Sequence, residues 1–339
     1  MKPTDFSYHL TGYLAKYLPG RLGISSNTIK SYRDTFSLLL KFCSEVEKIP
    51  VEKITISTLK KQLIEEFLTW IETVRGCCVS TRNQRLAAIH AFFKYLQMEA
   101  PEHIYLCHQI LAVPIKRTHR RALDYLTLDG IKAILDVPDT ASMNGRRNLV
   151  LLSLLYDTGA RVQEIADLVV SDIRLENPGT VKVTGKGNKS RIVPLMTPTA
   201  KLVDQYISEN NMKSIAHGQY PLFQNRSREK LTRAGITYIL KRCVEEARKH
   251  HPELIPKEVS PHCFRHSKAM HLLQSGVNLV YIRDLLGHVS IKTTEVYARA
   301  DSQMKRNALE KAYQVVPCSE MPIWQQNHDL LKWLKELGQ

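Results

Sequence analysis

A mainly α fold with a small β-sheet or hairpin, divided between two domains, is what the sequence predicts, and three observations carry the prediction. The chain has 339 residues, and at roughly 100–200 residues per domain two cores fit that length better than one. Apolar residues recur at helical spacing through most of it. One stretch, 180–195, instead alternates β-branched residues on either side of Gly185-Lys186-Gly187-Asn188, which is a hairpin pattern. With 43% apolar and 24% charged residues, and 15 Gly and 15 Pro, the composition excludes collagen-like, low-complexity and disordered chains.

Taken in order, Ile29, Tyr32, Phe36, Leu39 and Leu40 fall on one face of a helix over 26–43, with Ser26 or Asn27 suited to cap it. The stretch 56–74 reads as a second helix. A third, over 79–98, carries Leu86, Ile89, Phe92, Phe93 and Leu96 on its apolar side and Arg82, Arg85 and Lys94 on the other. Residues 1–110 therefore form a compact helical domain. Residues 111–124 hold Pro114, then Lys116, Arg117, Arg120 and Arg121, with no clean period, and read as a basic inter-domain linker.

The second domain, 125–313, opens with a helix at LTLDGIKAILD. A strongly apolar helix over 148–156 stops at Gly159, whose access to left-handed backbone suits a helix end, and another helix follows at once over VQEIADLVVSDI. Beyond the hairpin, helix returns in ITYILKRCVEEARKH, after Ser260-Pro261, and in a pair around Gly287. The tail, 314–339, carries Trp324, Leu330, Leu331, Trp333, Leu334 and Leu337, which suit a helix that needs an acceptor groove, on its own subunit or on another. No internal repeat is visible.

Charge narrows the function classes. The 48 Lys plus Arg against 33 Asp plus Glu leave +15 at pH 7, which points to a polyanionic partner. Nucleic acid fits better than lipid, because no strongly amphipathic basic N-terminal helix is evident. The 7 Cys are scattered and include the neighbours Cys77 and Cys78, so they read as reduced thiols. The N-terminus lacks an apolar signal region, and no apolar run approaches the ~20 residues that span a bilayer. The expected location is cytoplasmic and nucleoid-associated.

The chemistry-bearing residues lie at element ends. Ser260 and Pro261 open a helix that places His262 and Arg265 on one face of its first turns, beside free N–H groups, as an oxyanion site suited to phosphate. His262 and His266 have the spacing of a zinc helix, but Glu does not follow the first His and no third ligand is evident, so no metal is expected. Arg161 stands just past the Gly159 turn, with Glu164 placed to pair with it. Lys186 occupies the hairpin tip. A phosphate-binding P-loop is excluded there, because Gly179 lies one position too far away and Gly187 stands where Ser or Thr must bind magnesium. Gly287 and His288 close one helix, Ser290 caps the next, and Tyr297 follows about two turns in. Each residue alone has an ordinary structural explanation.

As a set, Arg161, Lys186, His262, Arg265, His288 and Tyr297 resemble the active-site signature of the tyrosine recombinase (phage integrase) family. TGARVQE resembles its first-arginine motif, HCFRH its His-x-x-Arg box, and LGHVSIKTTEVYA its Leu-Gly-His segment and nucleophile helix. NTIKSYRDTFSLLLKFC and STRNQRLAAIHAFFKYL are similar to its helical, SAM-like core-binding domain, so the resemblance runs from about Ser26 to Tyr313. Ala160 stands where a bulkier apolar residue is common, and Ala298-Arg299 replaces the usual polar pair.

The resemblance implies a two-domain DNA clamp and site-specific strand cleavage and rejoining through a covalent 3′-phosphotyrosyl intermediate, giving integration, excision or resolution of DNA. It implies Tyr297 as nucleophile, His262 as base, Arg161 and Arg265 on the nonbridging phosphate oxygens, Lys186 as acid to the departing 5′-oxygen, His288 on the phosphate, and Glu164 orienting an arginine. No cofactor and no metal are implied. The partners are double-stranded DNA with a specific recombination site, a homo-tetramer on two such sites that exchanges C-terminal segments, and other recombinases or accessory proteins. Arg82, Arg85, Lys94, Lys116, Arg117, Arg120 and Arg121 are the expected DNA-binding residues. Two alternatives stay open: type IB topoisomerase-like strand relaxation, and a noncatalytic DNA-binding regulator whose site only grips phosphate.

Overall fold

The computed structural model describes residues 3–118 and 124–300, with Lys332 and Lys335 beyond them. Arg120, Arg121 and the apolar tail residues from Trp324 to Leu337 lie outside the described residues. The chain divides into two compact units, Met1–Arg121 and Ala122–Gln339, each with its own core.

The first unit is helical: α1 (Asp5–Gly12), running into a π-helical stretch over Tyr13–Arg21, then α2 (Ser26–Glu45), α3 (Lys61–Thr73), α4 (Val79–Glu99) and α5 (Ile104–Leu111). Aromatic rings fill its centre. Phe92 meets Phe6 and Phe36 edge-on, with centroids 5.9 and 5.1 Å away, the arrangement that ring quadrupoles favour. The expected single helix over 56–74 is corrected to a 3₁₀ turn, Ile56–Thr58, followed by α3. Thr55 and Thr58 account for the break. The Thr55 N–H donates to Thr58 Oγ1 at 3.2 Å, and the two hydroxyls pair at 2.8 Å, so side chains compete with the helical ladder.

The second unit contains α6 (Leu128–Leu135), α7 (Met143–Thr158) and α8 (Val162–Ala166), then β1 (Ile173–Arg174), β2 (Thr180–Thr184) and β3 (Ser190–Pro194), then α9 (Thr197–Glu209), α10 (Arg233–His250), α11 (Pro261–Gln274), α12 (Leu279–Leu286) and α13 (Ile291–Ala300). The strands form one antiparallel sheet in the order β1-β2-β3, with Val183 opposite Arg191. The long helix expected over VQEIADLVVSDI is corrected: α8 ends at Ala166, Asp172 Oδ2 accepts the Val169 N–H at 3.0 Å, and the chain turns into β1. Leu151, Leu152, Leu154 and Leu155 of α7 are buried with Val181, Val183 and Val193, which places a helix apolar on several sides at the centre of the unit. A smaller apolar cluster, Ala269, Met270, Leu273, Ile282, Leu286 and Tyr297, joins α11, α12 and α13. No helix among the described residues is long and apolar enough to cross a membrane.

Candidate active site

Two helix ends meet at one arginine. Gly159 closes α7 with φ +55°, and Gly287 closes α12 with φ +65°, a conformation that glycine adopts without the Cβ clash other residues meet. Both ends leave carbonyls unpaired by the helix. Arg265, on α11 and 3% exposed, donates Nη1 to the Gly159 carbonyl and Nη2 to the Leu286 carbonyl, each at 2.7 Å. A buried cation between two helix C-termini is stabilised by both dipoles. Burial, and then the nearby Arg161, pull its pKa down to about 10, so it stays charged at neutral pH. Among the described residues two of the guanidinium's five N–H groups are thus used.

Glu164 organises the opposite side. Its buried carboxylate accepts the Arg161 backbone N–H at 3.0 Å, Arg161 Nη1 at 2.8 Å and Arg191 Nη2 at 2.8 Å. Burial alone would raise its pKa, but the Arg191 bond, then the Arg161 backbone and side-chain bonds, hold it below the ordinary carboxylate value. Arg191, from β3, also donates Nε to the Leu285 carbonyl at 2.7 Å, which ties the sheet to the end of α12. The sequence reading missed Arg191. Its signal was the alternation of the strand itself, which places Arg191 on a defined face opposite Val183.

Tyr297, on α13, is 3% exposed, and its hydroxyl lies 2.9 Å from His266 Nδ1. Burial raises the phenol pKa, while Arg265 and then Arg161 pull it the other way. His288 stacks on the Tyr297 ring at 6.4 Å with an interplanar angle of 10°, and its Nδ1 pairs with buried Thr294 Oγ1 at 2.9 Å. Burial, then Arg265 and Arg161, depress its pKa to about 4, so the ring is neutral over the physiological range. His262 stands exposed on the first turn of α11, its pKa lowered by burial of part of the ring and then by Arg265, Arg233 and Arg161. The cage therefore gathers Arg161, Arg265, His262, His288 and Tyr297 around one locus, with Glu164 and Arg191 behind it. Lys186 lies on the turn joining β2 to β3, where Gly187 has φ +76°.

The residues expected on DNA are placed differently from one another. Arg82 is 5% exposed, so its expected place on the polar side of α4 is corrected: Nη1 donates to the Pro114 carbonyl at 3.0 Å and to Asn83 Oδ1 at 3.2 Å. Arg85 is half-buried and donates Nη1 to the Ser31 carbonyl and Thr35 Oγ1 at 3.2 and 3.1 Å. Both reach across to backbone or hydroxyl oxygens because a long cationic stem packs while its head finds acceptors. Lys94 and Arg117 are exposed, and exposed Lys116 pairs with Glu72.

Comparison with known proteins agrees with this geometry. Residues 124–304 match the phage integrase family, and residues 11–100 match its N-terminal SAM-like domain. The protein y4rC of Sinorhizobium fredii, whose name assigns it to the integrase/recombinases, is 36% identical over 287 residues, covering 85% of each chain. Tyrosine recombinase XerC of Syntrophus aciditrophicus is 30% identical, covering 83% of this chain and 90% of its own. The same fold recurs in a post-cleavage complex of the XerH site-specific recombinase on difH substrate, with a TM-score of 0.68 at 22% identity over 89% of this chain and 85% of that one. The chain belongs to the phage integrase family, and is a tyrosine-type site-specific recombinase. Its activity is the cleavage and rejoining of DNA strands.

Proposed function

We propose that Tyr297 attacks a phosphodiester of duplex DNA and carries the strand as a 3′-phosphotyrosyl ester. A phenol of pKa ~10 is ionised about once in a thousand at pH 7, a deficit of roughly 4 kcal/mol that the site offsets by removing the proton during attack. Arg161 and Arg265 bind the nonbridging oxygens, where charge builds in the transition state. His262 takes the phenol proton as general base, and His288 hydrogen-bonds the phosphate. Lys186 protonates the 5′-oxygen as the P–O5′ bond breaks. The ester retains the bond energy, so a 5′-hydroxyl from another strand displaces the tyrosine without ATP. Arginines and lysine supply the positive charge that a metal supplies elsewhere.

Residues 1–110 and 125–313 act as the two arms of a DNA clamp, with 111–124 as the basic linker along the phosphates. The working form is a homo-tetramer on two specific DNA sites, joined through residues 314–339 and assisted by other recombinases or accessory proteins. It acts in the cytoplasm at the nucleoid, on a mobile or chromosomal element. The observation that carries the reading is the packing of Tyr297 against α11 and α12, with its ring stacked on His288 next to the helix end whose Leu286 carbonyl Arg265 grips. Nicked suicide duplexes drawn from DNA flanking the gene test it. Wild type yields a denaturant-resistant adduct that maps to Tyr297. Tyr297→Phe binds the same duplexes and yields none. An adduct persisting in that variant would overturn the assignment.

A further inference from the structure

Thr294 lies on α13, less than one turn before Tyr297, and is completely buried. A threonine hydroxyl has one proton to place, and inside a helix it commonly gives that proton to the carbonyl one turn back. Thr35, Thr69 and Thr158 all do so, each donating to the carbonyl four residues earlier. Among the described residues Thr294 has no such bond, and its Oγ1 instead stands 2.9 Å from His288 Nδ1. The direction of that bond follows from burial. If Nδ1 carried the ring proton and donated it, the Thr294 proton would be sealed in without an acceptor, at a cost of about 1–3 kcal/mol. Thr294 therefore donates and Nδ1 accepts. A neutral imidazole carries a single proton, so that proton sits on Nε2.

We propose that Thr294 is a positioning residue, which holds His288 in the tautomer that presents an Nε2–H donor to the scissile phosphate. This rests on Tyr297 being the nucleophile and on His288 binding the phosphate. In the other tautomer Nε2 would turn a lone pair toward an anion, and a donor would be lost where negative charge develops. A second ring proton does not make up for it at neutral pH, because burial, then Arg265 and Arg161, hold the His288 pKa at about 4. The tautomer is therefore set by the hydrogen bond alone. The ring plane is set as well, by stacking on Tyr297 at an interplanar angle of 10°. One helix thus carries the nucleophile and also the hydroxyl that decides which nitrogen of the neighbouring ring bears the proton.

The tautomer is read directly by long-range 1H–15N correlation of the histidine rings in the full chain without DNA, the His288 signals being those lost in His288→Ala. Wild type should show Nε2 protonated and Nδ1 bare. A proton on Nδ1 in wild type overturns the proposal. Two substitutions then test its consequence for the reaction. Thr294→Val keeps the branched shape and removes the hydroxyl, whereas Thr294→Ser keeps the hydroxyl. The valine variant is expected to show mixed tautomers and to bind nicked duplexes as wild type does. It should form the Tyr297 adduct about 10–100-fold more slowly in a single turnover, the usual loss when a group that orients a histidine through its other nitrogen is removed. Thr294→Ser should recover most of that rate. A valine variant at the wild-type rate, or a serine variant as slow as the valine one, overturns the proposal. In a His288→Ala background Thr294→Val should slow the residual reaction no further, because the hydroxyl acts through that ring, and a further loss of the same size overturns it too. Wild type forming no adduct at Tyr297 on any bound duplex defeats the nucleophile assignment and this inference with it, whereas the Nδ1–H tautomer defeats this inference alone.

Discussion

The helical N-terminal unit closes its core with rings, Phe6, Tyr13, Phe36, Phe92 and Phe93, and the buried arginine it contains, Arg82, braces a backbone carbonyl. The C-terminal unit builds its core mostly from aliphatic side chains, with Phe223 and Phe264 among them, and then buries Glu164 and Arg265 with Arg191 almost covered beside them. Burying charge costs several kcal/mol per ion before pairing returns part of it, so a fold selected only to be stable gains little from such a network. The difference separates a unit that spends burial on cohesion from one that spends it on holding cations in fixed positions. Preorganised positive charge is what a phosphoryl-transfer site requires, since it costs no reorganisation when negative charge develops.

Removing the network's anion is the strongest way to sharpen that contrast. Glu164→Ala leaves Arg161 and Arg191 facing each other without their carboxylate, and breaking a buried pair costs about 3–5 kcal/mol. The melting transition of the C-terminal unit should fall, and adduct formation at Tyr297 with it. Arg82→Ala in the other unit should cost about 1–3 kcal/mol by freeing the Pro114 carbonyl, with the chemistry of the pre-bound complex unchanged. Calorimetry paired with a single-turnover cleavage assay reads both. Equal effects of the two variants on cleavage would erase the distinction between bracing and catalytic arginines.

How much of this was legible beforehand follows from the range of the interactions. Helices with a periodic apolar face, such as α2 and α4, and the β2–β3 hairpin are written in local sequence, as are the glycine stops at Gly159 and Gly287. The order of Arg161, His262, Arg265, His288 and Tyr297 was readable through family likeness. Arg191 and His266 were not, because each acts through a partner far away in the chain: Leu285 and Glu164 for one, Tyr297 for the other. Arg82 misled for the same reason, since periodicity assigns a face but does not know that the Pro114 carbonyl folds back over it. The breaks at Thr55 and Asp172 were lost to side chains that compete with backbone bonds over three residues.

Acid should separate the units next. Burial is the first cause of the lowered pKa values of His262, His266, His271 and His288 in the C-terminal unit, with His288 at about 4, whereas His90 is the histidine so shifted in the N-terminal one. A histidine whose folded pKa lies below its ordinary 6.5 binds its proton first in the unfolded chain. Its contribution is therefore complete above about pH 6.5 and is lost as pH falls toward the folded value. Glu164, also depressed, adds a loss below the ordinary carboxylate value. Melting scans from about pH 7.5 to about pH 5 should lower the C-terminal transition more than the N-terminal one. Parallel shifts would mean that the histidine cluster does not set the acid response.

The smallest test compares two glycines with nearly the same backbone. Gly76 has φ +62° and Gly287 φ +65°, so alanine at either carries the left-handed penalty of about 1–2 kcal/mol. Their surroundings differ. A Cβ at Gly76 meets nothing within 4 Å, while one at Gly287 comes within 3.0 Å of Arg191 Nη1 and 3.3 Å of its Cδ and Cζ. Arg191 cannot swing aside freely, because the Leu285 carbonyl and Glu164 hold its guanidinium. Gly287→Ala should therefore destabilise by about 1 kcal/mol more than Gly76→Ala, within the usual cost of overpacking. It should also slow cleavage, since displacing Arg191 disturbs the carboxylate that orients Arg161, whereas Gly76→Ala should leave the cleavage rate of bound DNA unchanged. If both variants lose the same stability and neither alters cleavage, Arg191 has slack, and the rigid support argued for the cage is absent on that side.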